Sequence, residues 1–222
     1  TPRIGVSGGI VNLGTPASEI GQYMRRADIA AYAAKKAGRG QVCLWTEDDA
    51  PMRTAATQLA LVEQIERASA DGTWVVHEQH IARIDLDNPS IAMHELLIRL
   101  PGKNGSLIGP DQFLPAAERY GLMPLVDLWM FRFCLDLISR SETGVIYAVN
   151  LSPASVSSRS FQRDLLDLLQ DVPRDVLARV CIEITETSMV QSFDTVSGFL
   201  RLLKSKGVKV AIDDFGSGAS SF

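Results

Sequence analysis

Cysteine is scarce in this sequence, and basic residues are not in excess. Among 222 residues there are three cysteines, and aspartate and glutamate outnumber lysine and arginine by 26 to 22. Cys43, Cys134 and Cys181 lie too far apart to form a metal-binding pair, so we expect reduced thiols that serve packing in a cytoplasmic protein. The net charge of −4 disfavours a nucleic-acid polymer as partner. A small anion is compatible with this charge where a metal ion supplies positive charge.

Long apolar runs and a signal peptide are absent as well. The most apolar helical stretch, residues 122–138, is interrupted by Asp127, Arg132 and Asp136, which excludes a membrane span. No signal peptide is visible. Since the chain begins at Thr1 and not at a methionine, we expect further residues before it. Any anchoring to the inner membrane would then depend on parts outside this sequence.

Histidine is equally rare, and its three copies lie close together, at His77, His80 and His94. Zinc binding is one interpretation of this group. None of the three has the spacing of a known zinc-binding helix, however, and no cysteine lies nearby. We therefore expect solvated or hydrogen-bonded imidazoles.

Hydrophobic periodicity divides the chain into two units. In the first, residues 3–13 are predicted to be extended, residues 18–37 to form a helix with Ser18 as its N-cap, and residues 41–45 to form a strand. This unit, residues 1–46, is too small to hold a core alone. Residues 47–56 are predicted to be a linker, and residues 57–222 to be the second unit.

The second unit alternates strands and helices. Strands are predicted over 74–84, 92–100, 145–150, 180–185 and 209–214, and helices over 111–120, 124–139, 160–169 and 195–206. In the helix after Pro124 we expect one face to pack on a sheet, namely that with Leu122, Leu125, Val126, Trp129 and Phe133. Apolar runs that end in a carboxylate or amide are typical of strand ends at the mouth of a (β/α) barrel. The prediction is an α/β fold with a truncated (β/α) TIM-type barrel, whose remaining strands would follow Phe222.

Five oxygen-bearing side chains lie in or at the ends of four of these strands, namely Glu95, Asn150, Glu183, Asp213 and Asp214. Such a set suits Mg²⁺, Mn²⁺ or Ca²⁺ better than zinc or copper. The alternative for each residue is a solvated strand end, and the recurrence at several strand ends favours a metal site.

The strand period separates the roles of two neighbouring glutamates. Glu183 shares a strand face with Cys181 and Thr185, so it can point into the barrel mouth, whereas Glu186 falls in the following loop. Asp213 and Asp214 would point to opposite faces of an ideal strand. A glycine turn at residues 216–218 could bend both toward one ion or a pair of ions, and two ions would stabilise both reacting oxygens of a phosphodiester.

At these positions the sequence resembles a known family. HELLIRL, residues 94–100, resembles the signature of the EAL-domain cyclic di-GMP phosphodiesterases, and IGPDQFLPAAERYGLM, VNLSP, IEITET and IDDFGSG follow it in the family's order. Separately, ADIAAYAAKKAGRGQV, residues 27–42, resembles the C-terminal end of a GGDEF domain, a module that often precedes EAL. The resemblance implies a fragment of a GGDEF–EAL protein, with a βαβ remnant of GGDEF in residues 1–46 and the N-terminal part of EAL in residues 57–222.

The resemblance also implies roles for single residues. The metal ligands would be Glu95, Asn150, Glu183, Asp213 and Asp214, with Glu95, Asp213 and Asp214 catalytic. Gln79 and Arg99 would bind substrate, and Glu186 would steady a loop that is linked to dimerisation in the family. The implied activity is hydrolysis of cyclic di-GMP to pGpG in bacterial signalling, with Mg²⁺ or Mn²⁺ as cofactor and Ca²⁺ as inhibitor, by a cytoplasmic homodimer.

Three residues depart from the family pattern. Leu96 replaces an alanine of the signature, His80 a proline, and Ala219 a tyrosine. A lysine, a glutamate and a glutamine of the family's active site would lie beyond Phe222, so we expect this chain alone to be a poor enzyme. The alternative function is that of a catalytically degenerate EAL domain that acts as a cyclic di-GMP receptor, and the intact ligand positions favour the enzyme.

Overall fold

The computed structural model describes residues 5–14, 20–82, 91–141, 144–185 and 193–213. The chain divides into two compact units, Thr1–Gln64 and Ile65–Phe222. Among the described residues, none of the helices has the length and hydropathy that a bilayer crossing requires.

The first unit is a small βαβ arrangement. It contains β1 (Gly8–Ile10), α1 (Ile20–Lys36), β2 (Val42–Leu44) and the beginning of α2 (Ala50–Asp71). The two strands pair in parallel, and Ile29 and Ala33 of α1 pack against Met52 and Ala55 of α2. A side chain at Gly9 would overlap the backbone of α1, so only glycine allows this close approach of strand and helix.

The helix α2 begins within the segment predicted to be a linker. Its first residue is Ala50, and Pro51 lies in the first turn, where a missing backbone N–H breaks no helical hydrogen bond. The division between the two compact units falls inside this helix, after Gln64. Ser18, the predicted N-cap of α1, lies outside the described residues.

Every strand and helix predicted for the second unit is present. The strands are β3 (Val75–Ala82), β4 (Ile91–Pro101), β5 (Leu107–Ile108), β6 (Ile146–Asn150), β7 (Val180–Thr185) and β8 (Lys209–Asp213). The helices are α3 (Pro110–Arg119), α4 (Met123–Arg140), α5 (Pro153–Ser157), α6 (Arg159–Leu168), α7 (Arg174–Leu177) and α8 (Phe193–Lys206). The short elements β5, α5 and α7 were not predicted, because two to five residues are too few for a hydrophobic period.

The main sheet is parallel except at one edge. Its order is β3-β4-β6-β7-β8, with β4, β6, β7 and β8 parallel and β3 antiparallel to β4. The short strand β5 pairs with β4 from outside this order. This α/β arrangement, with helices between parallel strands, is consistent with a TIM-type barrel, and the sheet formed by the described strands is not closed.

One face of the sheet is covered by helices and holds the core, and we call it the helix face. Leu96, Val149 and Ile182 of the sheet pack with Phe131 of α4 and Phe161 of α6. The buried side of α4 matches the predicted one only in part: Val126 belongs to both, and Trp129 and Phe133 pack at the margin of the core. The buried side runs through Met123, Val126, Met130, Cys134 and Ile138, whereas Leu125 is exposed and Trp129 and Phe133 are only partly buried.

The three cysteines are free thiols. Burial raises the pKa of Cys134 to about 12 and that of Cys181 to about 11, so both stay protonated at neutral pH. The prediction that these two residues serve packing is confirmed by their burial.

Candidate active site

The sheet brings the predicted ligands to one face, opposite the helix face, and we call it the site face. Glu95 of β4 is in register with Ala148 of β6, and Asn150 of β6 with Glu183 of β7. Glu183 is also in register with Ala211 of β8, two residues before Asp213. Because side chains two residues apart point the same way, Glu95, Asn150, Glu183 and Asp213 share the site face.

Direct contacts and charge tie these side chains together. The Asn150 side-chain amide donates a hydrogen bond of 2.8 Å to Oε1 of Glu95. Glu183 is only 9% exposed. Burial, and after it the charges of Glu95 and Asp213, raises the pKa of Glu183 from 4.5 to about 7. Three carboxylates therefore act on one another around a buried glutamate.

This arrangement fits a divalent cation with a preference for oxygen ligands. The donors are three carboxylates and one amide, which suit Mg²⁺, Mn²⁺ or Ca²⁺. A cation among them would offset the two causes that raise the pKa of Glu183, which are burial first and then repulsion by Glu95 and Asp213. The predicted ligand Asp214 and the predicted loop-supporting residue Glu186 lie outside the described residues.

The two residues predicted to bind substrate are also on the site face. Gln79 of β3 is directly opposite Glu95 and is exposed. Arg99 lies four residues after Glu95 on the same strand, is partly buried, and donates a hydrogen bond of 2.9 Å to its neighbour's carbonyl, that of Ile98. A cleft of about 270 Å³ borders the site at Asn150, Glu183 and Thr185.

Sequence reasoning missed Asp127, which supports the loop after Asn150. This carboxylate is 4% exposed and accepts hydrogen bonds from the Ser152 backbone at 3.1 Å and the Ser152 hydroxyl at 2.6 Å. Burial raises its pKa to about 6, although the hydrogen bonds from Ser152 and Ser155 act in the opposite direction. The signal in the sequence was an acidic residue between the apolar residues Val126 and Met130.

Comparisons with known proteins agree with this architecture. A family model described as "EAL domain" matches residues 62–222. The cyclic di-GMP phosphodiesterase PdeB of Shewanella oneidensis is 29% identical over 225 residues, which cover 99% of this chain and 26% of PdeB. The chain thus spans about a quarter of that relative's length.

Two solved structures have the same fold. The PaMucR phosphodiesterase in complex with c-di-GMP is 27% identical, with a TM-score of 0.62 over 73% of this chain and 66% of that protein. The second is the S helix-GGDEF-EAL part of Vibrio cholerae LapD, bound to c-di-GMP, with a TM-score of 0.66. The match covers 96% of this chain and 50% of the LapD chain. At 17% identity, the LapD likeness concerns the fold alone.

Proposed function

The chain belongs to the EAL domain family, and on that premise we propose that the protein hydrolyses cyclic di-GMP to the linear dinucleotide pGpG. EAL phosphodiesterases depend on a divalent metal ion, and we propose Mg²⁺ or Mn²⁺ here, with Ca²⁺ as an inhibitor. The observation that carries the proposal is the group of Glu95, Asn150, Glu183 and Asp213 on one sheet face. Relatives named cyclic di-GMP phosphodiesterases and a neighbour solved with c-di-GMP support the substrate.

In this proposal the side chains of the site face divide the work. Glu95, Asn150, Glu183 and Asp213 hold the metal ion. The ion, when bound, lowers the pKa of a coordinated water and offsets charge on the phosphate. Arg99 pairs with a phosphate oxygen, for which a guanidinium is well suited, and Gln79 lies at the edge of the substrate.

Further residues support the site in the same proposal. Asp127 fixes the loop that follows Asn150 through Ser152. We also propose Asp214 as a metal ligand. Glu186 is proposed to support the loop that follows Asp214. Glu95, Asp213 and Asp214 together make up the proposed catalytic set.

The organisation of the whole protein is part of the proposal. We propose that residues 1–46 are the C-terminal part of a GGDEF domain, that residues 47–56 connect it to the EAL domain, and that the protein is a cytoplasmic homodimer. Support for the GGDEF assignment of residues 1–46 is the parallel pairing of β1 and β2 around α1 and the breadth of the LapD likeness.

Light scattering on the purified protein tests the dimer, and a monomer at every concentration would contradict it.

The test is a turnover assay on the protein expressed from its whole gene. Cyclic di-GMP is incubated with Mg²⁺, Mn²⁺, Ca²⁺ or a chelator, and pGpG is separated by chromatography. The variants Glu95→Gln, Glu183→Gln and Asp213→Asn remove one carboxylate each, and Glu66→Gln on the exposed side of α2 is the matched control. We expect pGpG only with Mg²⁺ or Mn²⁺, a loss of roughly 100-fold or more in the three site variants, and no loss in the control.

Two outcomes would overturn the proposal in different ways. Binding of cyclic di-GMP without pGpG under any metal would make the protein a receptor. Absence of both binding and turnover would contradict any cyclic di-GMP function.

A further inference from the structure

The helix face carries a second group of metal-ligating side chains at the antiparallel edge of the sheet. The register of β3 and β4 sets His80 directly opposite His94, and Glu78 lies two residues before His80 on the same face. We call Glu78, His80 and His94 the edge cluster. One ligand atom from each lies within 4.8 Å of the others.

The edge cluster is separated from the candidate active site by the sheet itself. Gln79 and Glu95 are the immediate chain neighbours of His80 and His94, and they form their own cross-strand pair. Since successive strand residues point to opposite faces, the edge cluster lies on the helix face and that pair on the site face. An ion bound by the edge cluster would therefore not be the ion of the candidate active site.

Packing holds part of the edge cluster in place while leaving it accessible. The Glu78 Oε2 and His94 Nδ1 atoms are 2.7 Å apart, and the rings of His80 and His94 stack with centroids 4.3 Å apart. The Tyr147 ring meets His94 edge-on at 5.3 Å. The His94 side chain is 14% exposed and that of Glu78 37% exposed, so solvent reaches the cluster around a fixed imidazole.

The chemistry of the three ligands selects a class of metal ion. Two imidazole nitrogens and one carboxylate oxygen make up the ligand set of zinc sites with an open position. Mg²⁺ and Ca²⁺ prefer sites made of oxygen alone. Affinity for nitrogen ligands rises from Mn²⁺ to Cu²⁺ and is lower again at Zn²⁺, so the choice of Zn²⁺ rests on the ligand set and not on affinity alone. We propose that Glu78, His80 and His94 bind a transition-metal ion, best matched by Zn²⁺, outside the candidate active site.

Small side-chain movements would complete this site. Ligands at 2.0–2.1 Å from a tetrahedral zinc ion are separated from one another by about 3.3 Å. The 2.7 Å pair of Glu78 and His94 opens slightly on binding, and any of the other separations, all within 4.8 Å, that exceeds about 3.3 Å closes. Glu78 and His80 are exposed and can rotate, whereas His94 stays packed on Tyr147.

A bound ion would join β3 to β4 at the pair next to Gln79 and Glu95. Because an ion that binds only the folded state stabilises it, Zn²⁺ should lower the fraction of molecules in which this edge is open. This inference does not require phosphodiesterase activity, since none of its ligands is on the site face.

The test measures Zn²⁺ binding to the purified protein, freed of any affinity tag, in excess Mg²⁺ that occupies the site face. Competition with a chromophoric chelator gives stoichiometry and affinity, and Co²⁺ absorption reports nitrogen and oxygen ligation. The variants His80→Gln, His94→Gln and Glu78→Gln each remove one ligand. His77→Gln is the matched control, because His77 lies on β3 but faces the other side of the sheet.

We expect one Zn²⁺ per chain in the wild type and in His77→Gln, and at least tenfold weaker binding in His80→Gln and His94→Gln. His80 is exposed, so its variant should fold even if substitution of the packed His94 disturbs the sheet. Equal Zn²⁺ affinity in the wild type and in His80→Gln would overturn the proposal, and so would a wild type without a bound ion.

Discussion

The raised pKa of Glu183 leads to a stability prediction with an unusual sign. Glu183 is 9% exposed and lies between the charges of Glu95 and Asp213. Its pKa rises from 4.5 to about 7 on folding. At 1.36 kcal/mol per pKa unit, the ionised carboxylate opposes folding by about 3 kcal/mol at pH 8 when no metal ion is bound.

The pH dependence follows from the direction of this shift. The folded state binds the proton of Glu183 more tightly than the unfolded state, so the penalty is absent below about pH 4.5 and grows as the pH rises through 7. In Glu183→Gln this position does not ionise, so the variant does not have the penalty of a buried carboxylate. In a chelator at pH 8 it should be more stable than the wild type by about 1–3 kcal/mol, and near pH 5 the difference should be under about 1 kcal/mol.

Metal ions should reverse this order. A divalent ion bound to Glu95, Glu183 and Asp213 stabilises the wild type and acts more weakly on the variant, which lacks one ligand. Urea unfolding at pH 5 and pH 8, with chelator or Mg²⁺, measures both effects. Tryptophan fluorescence is a suitable signal, because Trp74 and Trp129 lie in the second unit and Trp45→Phe removes the signal of the first.

Two results would refute this reasoning. One is a variant that is less stable than the wild type in chelator at pH 8. The other is an equal response of both proteins to Mg²⁺, which would mean that Glu183 does not contact the ion.

Two further predictions concern side chains that support the site and the core. Asp127→Ala leaves the Ser152 backbone amide without its acceptor, while the Ser152 hydroxyl keeps Ser155 as an acceptor. The variant should cost about 1–3 kcal/mol and expose the Ser152 amide to hydrogen exchange, whereas Asp127→Asn keeps an acceptor and should lose less. Equal exchange rates in both variants would contradict this. Arg179 donates hydrogen bonds to the carbonyls of Ile138, Ser141 and Val145, so Arg179→Ala should lower the free energy of unfolding by about 2–4 kcal/mol in urea. A loss below about 0.5 kcal/mol would show that water replaces these bonds.

Much of the active-site face could be predicted because strands impose a period of two. Glu183 and Asp213 each follow an apolar run, and the carboxyl ends of parallel strands meet at one edge. Glu95 lies within β4, where the same period puts it on the site face. The same period led to different predicted roles for Glu183, in the strand, and Glu186, in the following loop. Local pattern and position in a strand were enough to place these residues together.

Features that depend on the pairing of distant segments could not be predicted in this way. A hydrophobic pattern does not encode strand direction, so the antiparallel pairing of β3 and β4, and with it the contact of His80 with His94, was hidden. Asp127 looked like an interruption of an apolar helix, because its partner Ser152 is twenty-five residues away. The predicted buried side of α4 was also partly wrong. Leu125 and Val126 are equally apolar in sequence, and only packing shows that Val126 is buried and Leu125 exposed.

The most direct test of the central claim is a calorimetric titration of cyclic di-GMP into the protein expressed from its whole gene, with Ca²⁺ present to prevent turnover. We predict saturable binding in the wild type, binding at least tenfold weaker in chelator, and the same loss in Glu95→Gln with Ca²⁺. Binding that is unaffected by chelator and by Glu95→Gln would contradict a metal-dependent site on this sheet face.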